Sequence, residues 1–229
     1  YFRDNYNKAL ENLPVIKSAV TVTKIEVWVT NKVNNNEENR NILALLDLGE
    51  NKDNVFADDV INFYSGKEYP DNTTNNLYGE IITNISPERN FNEIGNKLES
   101  QWAGSNFSSG KDFEKIGSAR KLKPNEYDLN QQLGYISLNN ALNADEVLAV
   151  AYELDVGGIR YQVGDFSTDG ITVTNEKSPF LVAKLLKGTS LTPSIPTWDL
   201  MMKNVYAIGA YQVNREDFIL NVLYLDDKT

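Results

Sequence analysis

The feature that most constrains this fold is a β-hairpin encoded in residues 147–163. Val147–Val156 reads VLAVAYELDV, in which large apolar side chains recur at every second position, as in a strand that buries one face. The side chains on that face are Leu148, Val150, Tyr152, Leu154 and Val156. Gly157 and Gly158 predict a two-residue turn, after which Ile159–Val163 returns as the partner strand.

The same alternation is also typical of a strand in the wall of a membrane barrel, which extends over about ten residues. The segments that flank this hairpin are too short and too polar to continue such a barrel. We therefore interpret the hairpin as part of a half-buried sheet in a domain that lies outside the membrane.

Several other segments have the character of strands. Thr21–Thr30, TVTKIEVWVT, alternates between an apolar face that includes Ile25 and Val27 and a face that carries Lys24 and Trp28. Further strands are predicted at Asn41–Asp47, Phe113–Leu122, Leu133–Leu138, Ile171–Thr174, Phe180–Leu186 and Asp217–Tyr224. Because these strands come in runs rather than alternating one by one with helices, the sequence favours a sheet rich in antiparallel pairs.

Three helices are predicted from spacing and capping residues. They are Tyr1–Leu13, which Pro14 ends, a helix from Ser86 through Leu98 with Pro87 at its first position, and Thr197 through Tyr206 with Gly209 as its C-cap. The inner stripe of the second is expected to contain Phe91, Ile94 and Leu98. Leu77–Ile85 fits either a helix or a strand. The fold class predicted is α+β, with three or four short helices.

The length of 229 residues suits one large domain or two small ones. We expect a single domain over residues 1–229, with the Ser- and Gly-containing residues 102–110 as the candidate for an internal boundary. Because the chain begins at Tyr1 rather than Met and contains no signal peptide, we expect an excised piece or a mature fragment.

The composition limits the kinds of catalytic site, metal site and partner that the chain can have. The chain has no histidine and no cysteine, which excludes the common Ser-His and Cys-His nucleophile pairs and the His- or Cys-based metal sites. Its formal net charge of −10, with lysines and arginines scattered, disfavours binding to nucleic acid and to anionic lipid. These properties indicate a protein that is not an enzyme.

Two weak catalytic patterns remain. Carboxylate pairs such as Glu80 with Glu93, or Asp165 with Asp169, would suit a glycoside hydrolase, but their spacing is not specific. Ser118 and Lys121 match a serine–lysine motif that should open a helix, whereas the residues around them alternate like a strand.

A calcium loop is the kind of metal site that the sequence suggests, superficially at Asp53–Asp59 and more fully at Asp165–Gly170. In Asp165–Gly170, DFSTDG, Asp165 would be position 1 of the loop, Asp169 position 5 and Gly170 position 6. Glu176 then falls at position 12, where a bidentate glutamate is required. The alternative is a β-turn with an Asp-Gly corner and no bound cofactor.

Trp28 is a candidate for contact with a partner because it lies on the polar face of its strand. Either both faces of that strand are covered, or Trp28 belongs to an exposed patch that binds another protein.

Seven stretches of the chain, in order, carry a likeness to one known family. They are Tyr1–Tyr6 (YFRDNY), Ile25–Asn31 (IEVWVTN), Leu45–Glu50 (LLDLGE), Asp112–Leu138, Val147–Gly164, Phe180–Gly188 and Pro196–Gln212. On these residues the chain resembles the SprA/Sov family of Bacteroidetes outer-membrane proteins, which serve gliding motility and type IX secretion.

The resemblance implies that the chain is a fragment of a much larger protein and forms a non-enzymatic structural domain of an outer-membrane secretion translocon. Such a domain would shape or cap the pore, or contact secreted cargo and accessory outer-membrane proteins, in addition to the translocon barrel itself. We expect it outside the membrane, at the cell-surface face, with the periplasmic face as the alternative, because outer-membrane barrels carry their long insertions externally. The alternative function is a cell-surface adhesin or glycan-binding module.

Overall fold

A computed structural model describes residues 2–32, 38–52, 57–171 and 179–202, together with residues 216, 219, 221 and 223. Its helices are α1 (Phe2–Leu10), α2 (Leu77–Glu80), a π-helical turn (Ile81–Ile85), α3 (Phe91–Gln101) and a 3-10 helix (Pro196–Leu200). Its strands are β1 (Thr21–Val29), β2 (Asn39–Leu45), β3 (Phe113–Lys121), β4 (Tyr127–Asn130), β5 (Tyr135–Leu138), β6 (Leu148–Val156), β7 (Ile159–Val163) and β8 (Phe180–Lys187). The predicted α+β class is confirmed.

The hairpin predicted from residues 147–163 is confirmed as β6 and β7. Val156 pairs with Ile159, so Gly157 and Gly158 form the two-residue turn. Both glycines have positive φ, at 61° and 89°, which is the backbone that a tight hairpin turn of this kind requires.

The main sheet closes on itself. Its strand order is β1-β3-β2-β8-β6-β7, and β1 also pairs with β6 along nearly its whole length. Five strands therefore form a hydrogen-bonded ring, from which β7 extends as an additional strand on β6. All of these pairs are antiparallel except β2 with β8. A separate hairpin consists of β4 and β5.

Both faces of the main sheet are buried, each in its own apolar cluster. The larger cluster joins one face to α2, α3 and the hairpin of β4 and β5. Its sheet residues include Val27, Leu43, Leu45, Val150, Tyr152, Phe180 and Val182. The smaller cluster on the opposite face contains Trp28, Ile42, Ala44, Ile116, Ala119, Val147, Ala149, Leu181, Ala183 and Leu185. The alternation along each strand decides which cluster a side chain joins.

Helix α3 begins later than the sequence predicts. Ser86 was expected as its N-cap, but Asn90 caps it by accepting a hydrogen bond from Asn92 N at 3.1 Å. Arg89 has a positive φ of 54°, a left-handed conformation that interrupts any helical path from Pro87 onward. The predicted inner stripe is correct, since Ile94 and Leu98 are fully buried and Phe91 packs against the larger cluster.

The last predicted helix also differs. The 3-10 helix begins at Pro196, preceded by Ile195, and Thr197 is buried rather than acting as the N-cap. Tyr206, Gly209 and most of the predicted strand Asp217–Tyr224 lie outside the described residues, as do residues 172–174 of the predicted strand Ile171–Thr174. Leu77–Ile85, which fitted two alternatives, is helical.

The expected internal boundary at residues 102–110 does not separate two cores. Trp102 packs against Phe107 with ring centroids 4.6 Å apart, and Phe107 stacks on Phe113 at 5.5 Å. These rings belong to the larger cluster, and the ring of strands combines β1 and β2, which precede this segment, with β3, β6 and β8, which follow it. Within the described ranges, the segment is therefore an internal part of one core.

Candidate functional site

The strongest concentration of buried charge lies beside the parallel pair of β2 and β8. We call it the buried lysine cluster and define it as Asp47, Glu50, Tyr152 and Lys184. Lys184 lies opposite Leu45 in the pairing of β8 with β2, and the turn after β2 brings Asp47 and Glu50 back toward it. All four residues are buried, and Lys184 is only 1% exposed.

Hydrogen bonds fix the orientation of each member of this cluster. Lys184 Nζ lies 3.6 Å from Glu50 Oε2 and donates to the backbone oxygen of Leu46. Glu50 Oε2 also accepts from Leu48 N at 2.7 Å, and Glu50 Oε1 accepts from the Tyr152 hydroxyl at 3.2 Å. The glutamate is therefore held on both oxygens.

The cluster contains two acids and one base, and its electrostatics follow from that imbalance. Asp47 Oδ1 accepts from Gly49 N at 2.8 Å, while Asp47 Oδ2 is buried with no hydrogen-bond partner among the described residues. Burial raises the pKa of Glu50 above its ordinary value, and the negative charge of Asp47 adds to this, while Lys184 opposes it. Glu50 thus takes up a proton more readily than an exposed glutamate.

A second buried ion pair joins the loop after β7 to the segment before α3. Arg89 Nη1 donates to Asp165 Oδ2 at 2.5 Å, and the Tyr78 hydroxyl donates to Asp165 Oδ1 at 2.6 Å. Val182 N, on β8, donates to Asp165 Oδ2 at 2.8 Å. Burial and the carboxylate of Asp165 raise the pKa of Tyr78, so its hydroxyl remains a donor.

This arrangement bears on the predicted calcium loop. The carboxylate of Asp165 accepts hydrogen bonds from Arg89, Tyr78 and Val182 N. Asp169 Oδ2 accepts from Gln162 Nε2 at 2.8 Å and from Phe166 N at 2.9 Å. Glu176 lies outside the described residues. The part of the chain that the structure describes contains no group of three or more acidic side chains placed to hold a metal ion. The geometry of residues 165–170 therefore fits the Asp-Gly turn, and calcium binding by this loop stays a prediction.

Trp28 is fully buried, so the expectation of an exposed contact patch at this residue is wrong. The reason is topological, because β1 lies between β3 and β6 and each face of the sheet is covered. Beside Trp28 on the same strand, Glu26 Oε1 accepts from Lys121 Nζ at 3.0 Å and from the Ser167 hydroxyl at 2.7 Å. The ion pair links β1 to β3, and the hydrogen bond from Ser167 ties the loop after β7 to β1.

The residues of the weak catalytic patterns are engaged elsewhere. Glu80 accepts from Asn84 Nδ2 at 2.7 Å, and Glu93 lies 3.3 Å from Lys97 on the surface of α3. Ser118 is in strand β3 with a positive φ of 48°, so Ser118 and Lys121 do not open a helix as the serine–lysine motif requires.

Two of the cavities on the described surface are large enough to compare with these clusters. The larger, about 510 Å³, is an open groove between the π-helical turn and α3. Its lining is mostly amide and hydroxyl: Asn84, Ile85, Glu93, Asn96, Lys97, Ser100 and Gln101. The smaller, about 80 Å³, lies beside the hairpin of β4 and β5. Neither groove is lined by a member of the buried lysine cluster.

Sequence reasoning missed the buried lysine cluster, although a signal for it exists. Lys184 interrupts an apolar run, FLVAKLL, at a position where its neighbours on the same face are Phe180 and Val182. A lysine on an apolar face needs a buried acid, and Glu50 of LLDLGE is that partner, with Asp47 acting on Glu50 from the same segment.

No family model matches the chain, and no curated protein matches it. Among the described residues, none of the helices combines the length and apolar character that crossing a bilayer demands.

Proposed function

We propose that this chain is a non-enzymatic structural domain of an outer-membrane protein-secretion translocon of the SprA/Sov type. Its role is to shape or cap the pore, or to present a surface to secreted cargo and accessory outer-membrane proteins. The seven stretches of family likeness support this proposal, and two of them, Leu45–Glu50 and Phe180–Gly188, contribute the acids and the lysine of the buried lysine cluster.

The observation that carries the proposal is the use of buried charge to fasten loops to the sheet. Glu50 with Lys184 joins the turn after β2 to β8. Asp165 pairs with Arg89 and accepts from Val182 N on β8, which fixes the loop after β7 to the ring of strands. Glu26, paired with Lys121 on the neighbouring strand, accepts from Ser167 of the same loop. Buried pairs of this kind add little net stability but specify one arrangement of the chain. A domain that must hold its shape while cargo passes benefits from such fixed loops.

The surface charge supports a position beside the membrane rather than on it. A net charge of −10 is repelled by anionic headgroups, and it also disfavours adsorption of acidic chains in transit. We place the domain at the cell-surface face of the outer membrane, with the rest of the translocon barrel as its permanent partner. The periplasmic face is the alternative.

The test is secretion from cells whose translocon lacks the segment corresponding to residues 1–229. Assembly of the remaining barrel in the outer membrane is checked first by surface labelling and membrane fractionation. We expect cargo export to fall although the barrel is present. Normal export through an assembled barrel would refute the proposal.

A single substitution tests whether secretion depends on the shape of the domain or only on its presence. Asp165→Ala loosens a loop without removing the domain, and Asp128→Ala is its matched control because Asp128 is exposed on β4. We expect reduced export only with Asp165→Ala. Equal export by both variants would show that the fixed loop geometry is not what secretion uses.

One observation favours a second candidate, a glycan-binding module. The groove between the π-helical turn and α3 presents Asn84, Asn96, Ser100 and Gln101, and amides and hydroxyls are the groups that bind sugar hydroxyls. A glycan array with the purified chain, with and without EDTA, tests this and the calcium prediction together. Binding that Asn96→Ala abolishes would favour the adhesin. An array with no bound glycan would remove it.

A further inference from the structure

The buried lysine cluster brings together two reactive groups from distant parts of the chain. Lys184 is on β8, and Glu50 follows β2, the parallel neighbour of β8. Both side chains are 1% exposed, so bulk water does not reach the contact between them. An amine and a carboxyl group that are enclosed together can exchange a proton and become neutral, because burial disfavours both charged forms.

Lys184 and Glu50 are in direct contact. Lys184 Nζ lies 3.6 Å from Glu50 Oε2, an oxygen bonded to the Cδ atom that the amine would attack. The backbone oxygen of Leu46 accepts a hydrogen bond from Lys184 Nζ, which holds the nitrogen beside the turn that carries Glu50.

Two donors flank the carboxyl group of Glu50. Leu48 N donates to Oε2 at 2.7 Å, and the Tyr152 hydroxyl donates to Oε1 at 3.2 Å. Donors fixed in this way polarise the carbonyl and stabilise negative charge on its oxygens when a nucleophile adds to the carbon. The environment therefore suits nucleophilic addition at Cδ of Glu50.

Asp47 completes the chemical set. Its Oδ1 accepts from Gly49 N at 2.8 Å, but its Oδ2 is buried and has no hydrogen-bond partner among the described residues. A buried carboxylate oxygen with no donor is costly, and the charge of Asp47 acts directly on Glu50. We therefore assign Oδ2 of Asp47 as the acceptor of the proton that must leave the nitrogen and reach the departing oxygen.

We propose that Lys184 and Glu50 condense to form an intramolecular isopeptide bond. One proton first passes from the ammonium to the carboxylate, which leaves a neutral amine and a neutral acid. The lone pair of Nζ then attacks Cδ of Glu50, and an N–C bond forms. Asp47 takes a proton from the nitrogen and returns it to the hydroxyl, the C–O bond breaks, and one water molecule leaves. No oxidant or other reactant is needed.

The bond would tie the end of β2 to β8 in a chain that has no cysteine. A cross-link between distant residues restricts the unfolded chain, and the effect grows with the length of the loop that it closes. The inference is independent of the function proposed above, since it concerns only the internal chemistry of this chain.

Intact-mass spectrometry of the purified, denatured 229-residue chain tests the proposal. The chain should be lighter than its sequence mass by one water molecule, and proteolysis should release one branched peptide that contains both Glu50 and Lys184. A folded protein with the full sequence mass after prolonged incubation would overturn the proposal. A lost water that maps to any other pair of residues would also overturn it.

Variants distinguish the bond from a simple ion pair. Lys184→Met should restore the full mass, and Lys187→Arg, three positions along the same strand, should keep the cross-link. Because Lys184→Met can fail to fold, Glu50→Gln is a second test. If Lys184 attacks the glutamine side chain, ammonia is lost instead of water, and the product has the same mass as the cross-linked wild type. Asp47→Asn should leave the chain uncross-linked, and cross-linking at the wild-type rate would refute the role of Asp47.

Discussion

Removal of the Asp165 carboxylate should destabilise the protein more than any exposed acidic substitution. The side chain of Asp165 is 4% exposed and that of its partner Arg89 is 15% exposed, so Asp165→Ala leaves a largely buried guanidinium without its counter-charge. It also leaves the Tyr78 hydroxyl and Val182 N without their acceptor. Breaking a buried pair from one side costs about 3 to 5 kcal/mol.

Asp165→Asn should cost less, because the amide oxygen still accepts one hydrogen bond while the charge is lost. A hydrogen bond to a charged group contributes about 1.5 to 3 kcal/mol, which is the expected range for this variant. Replacing both partners, as in Asp165→Ala with Arg89→Met, should recover part of the loss, since no charge is then left unpaired.

Urea unfolding followed by far-UV circular dichroism measures these differences as shifts in midpoint at constant slope. Asp128→Ala, on the exposed side of β4, is the control and should stay within about 0.5 kcal/mol of wild type. A loss below about 1 kcal/mol for Asp165→Ala, or a double variant less stable than the single one, would contradict the reasoning.

Three further predictions concern the core, a turn and a titrating group. Trp28→Ala should cost about 3 to 5 kcal/mol in urea unfolding, because a fully buried ring is lost; a cost typical of a surface site would refute its burial. Gly164→Ala should destabilise the protein by clearly more than Gly158→Ala. Both glycines have positive φ, but a Cβ at Gly164 would lie 2.9 Å from Val182 O, whereas a Cβ at Gly158 would meet open space. Equal losses of stability in the two variants would contradict this reasoning. Burial raises the pKa of Asp112, so its contribution to stability is present at low pH and is lost as pH rises above 3.8 through the raised pKa. Asp112→Asn should therefore gain stability relative to wild type as pH increases from about 4 to 7, and parallel pH profiles would show that no such shift exists.

Local patterns were sufficient to predict most of the strands. The hairpin of β6 and β7 follows from period-two alternation and a Gly-Gly turn, and both are properties of neighbouring residues. The ends of α3 were less predictable, because Ser86-Pro87 has the composition of a helix start while the positive φ of Arg89 delays the helix to Asn90. The contacts of Arg89 with Asp165 and Phe180, distant in sequence, accompany that conformation.

The candidate site was not predicted, because its members come from three separate segments. Lys184 has no acid within reach along its own strand, and its partner Glu50 is brought close only by the parallel pairing of β2 with β8. Likewise, nothing in Thr21–Thr30 tells whether Trp28 faces solvent or a second apolar cluster. That outcome depends on whether the sheet is covered on one face or on both.

The sequence by itself therefore determined the α+β class, the strands of the main hairpin, the inner stripe of α3 and the absence of histidine and cysteine chemistry. Periodicity and turn residues are patterns of a few neighbouring residues, and composition is a property of the chain itself, so all three can be recognised without knowing the fold. The tertiary structure alone decided the closure of the sheet through β1 and β6, the burial of Trp28 and the meeting of Lys184 with Glu50. Those depend on which strands pair across long separations, and that choice is made by the whole core rather than by any local pattern.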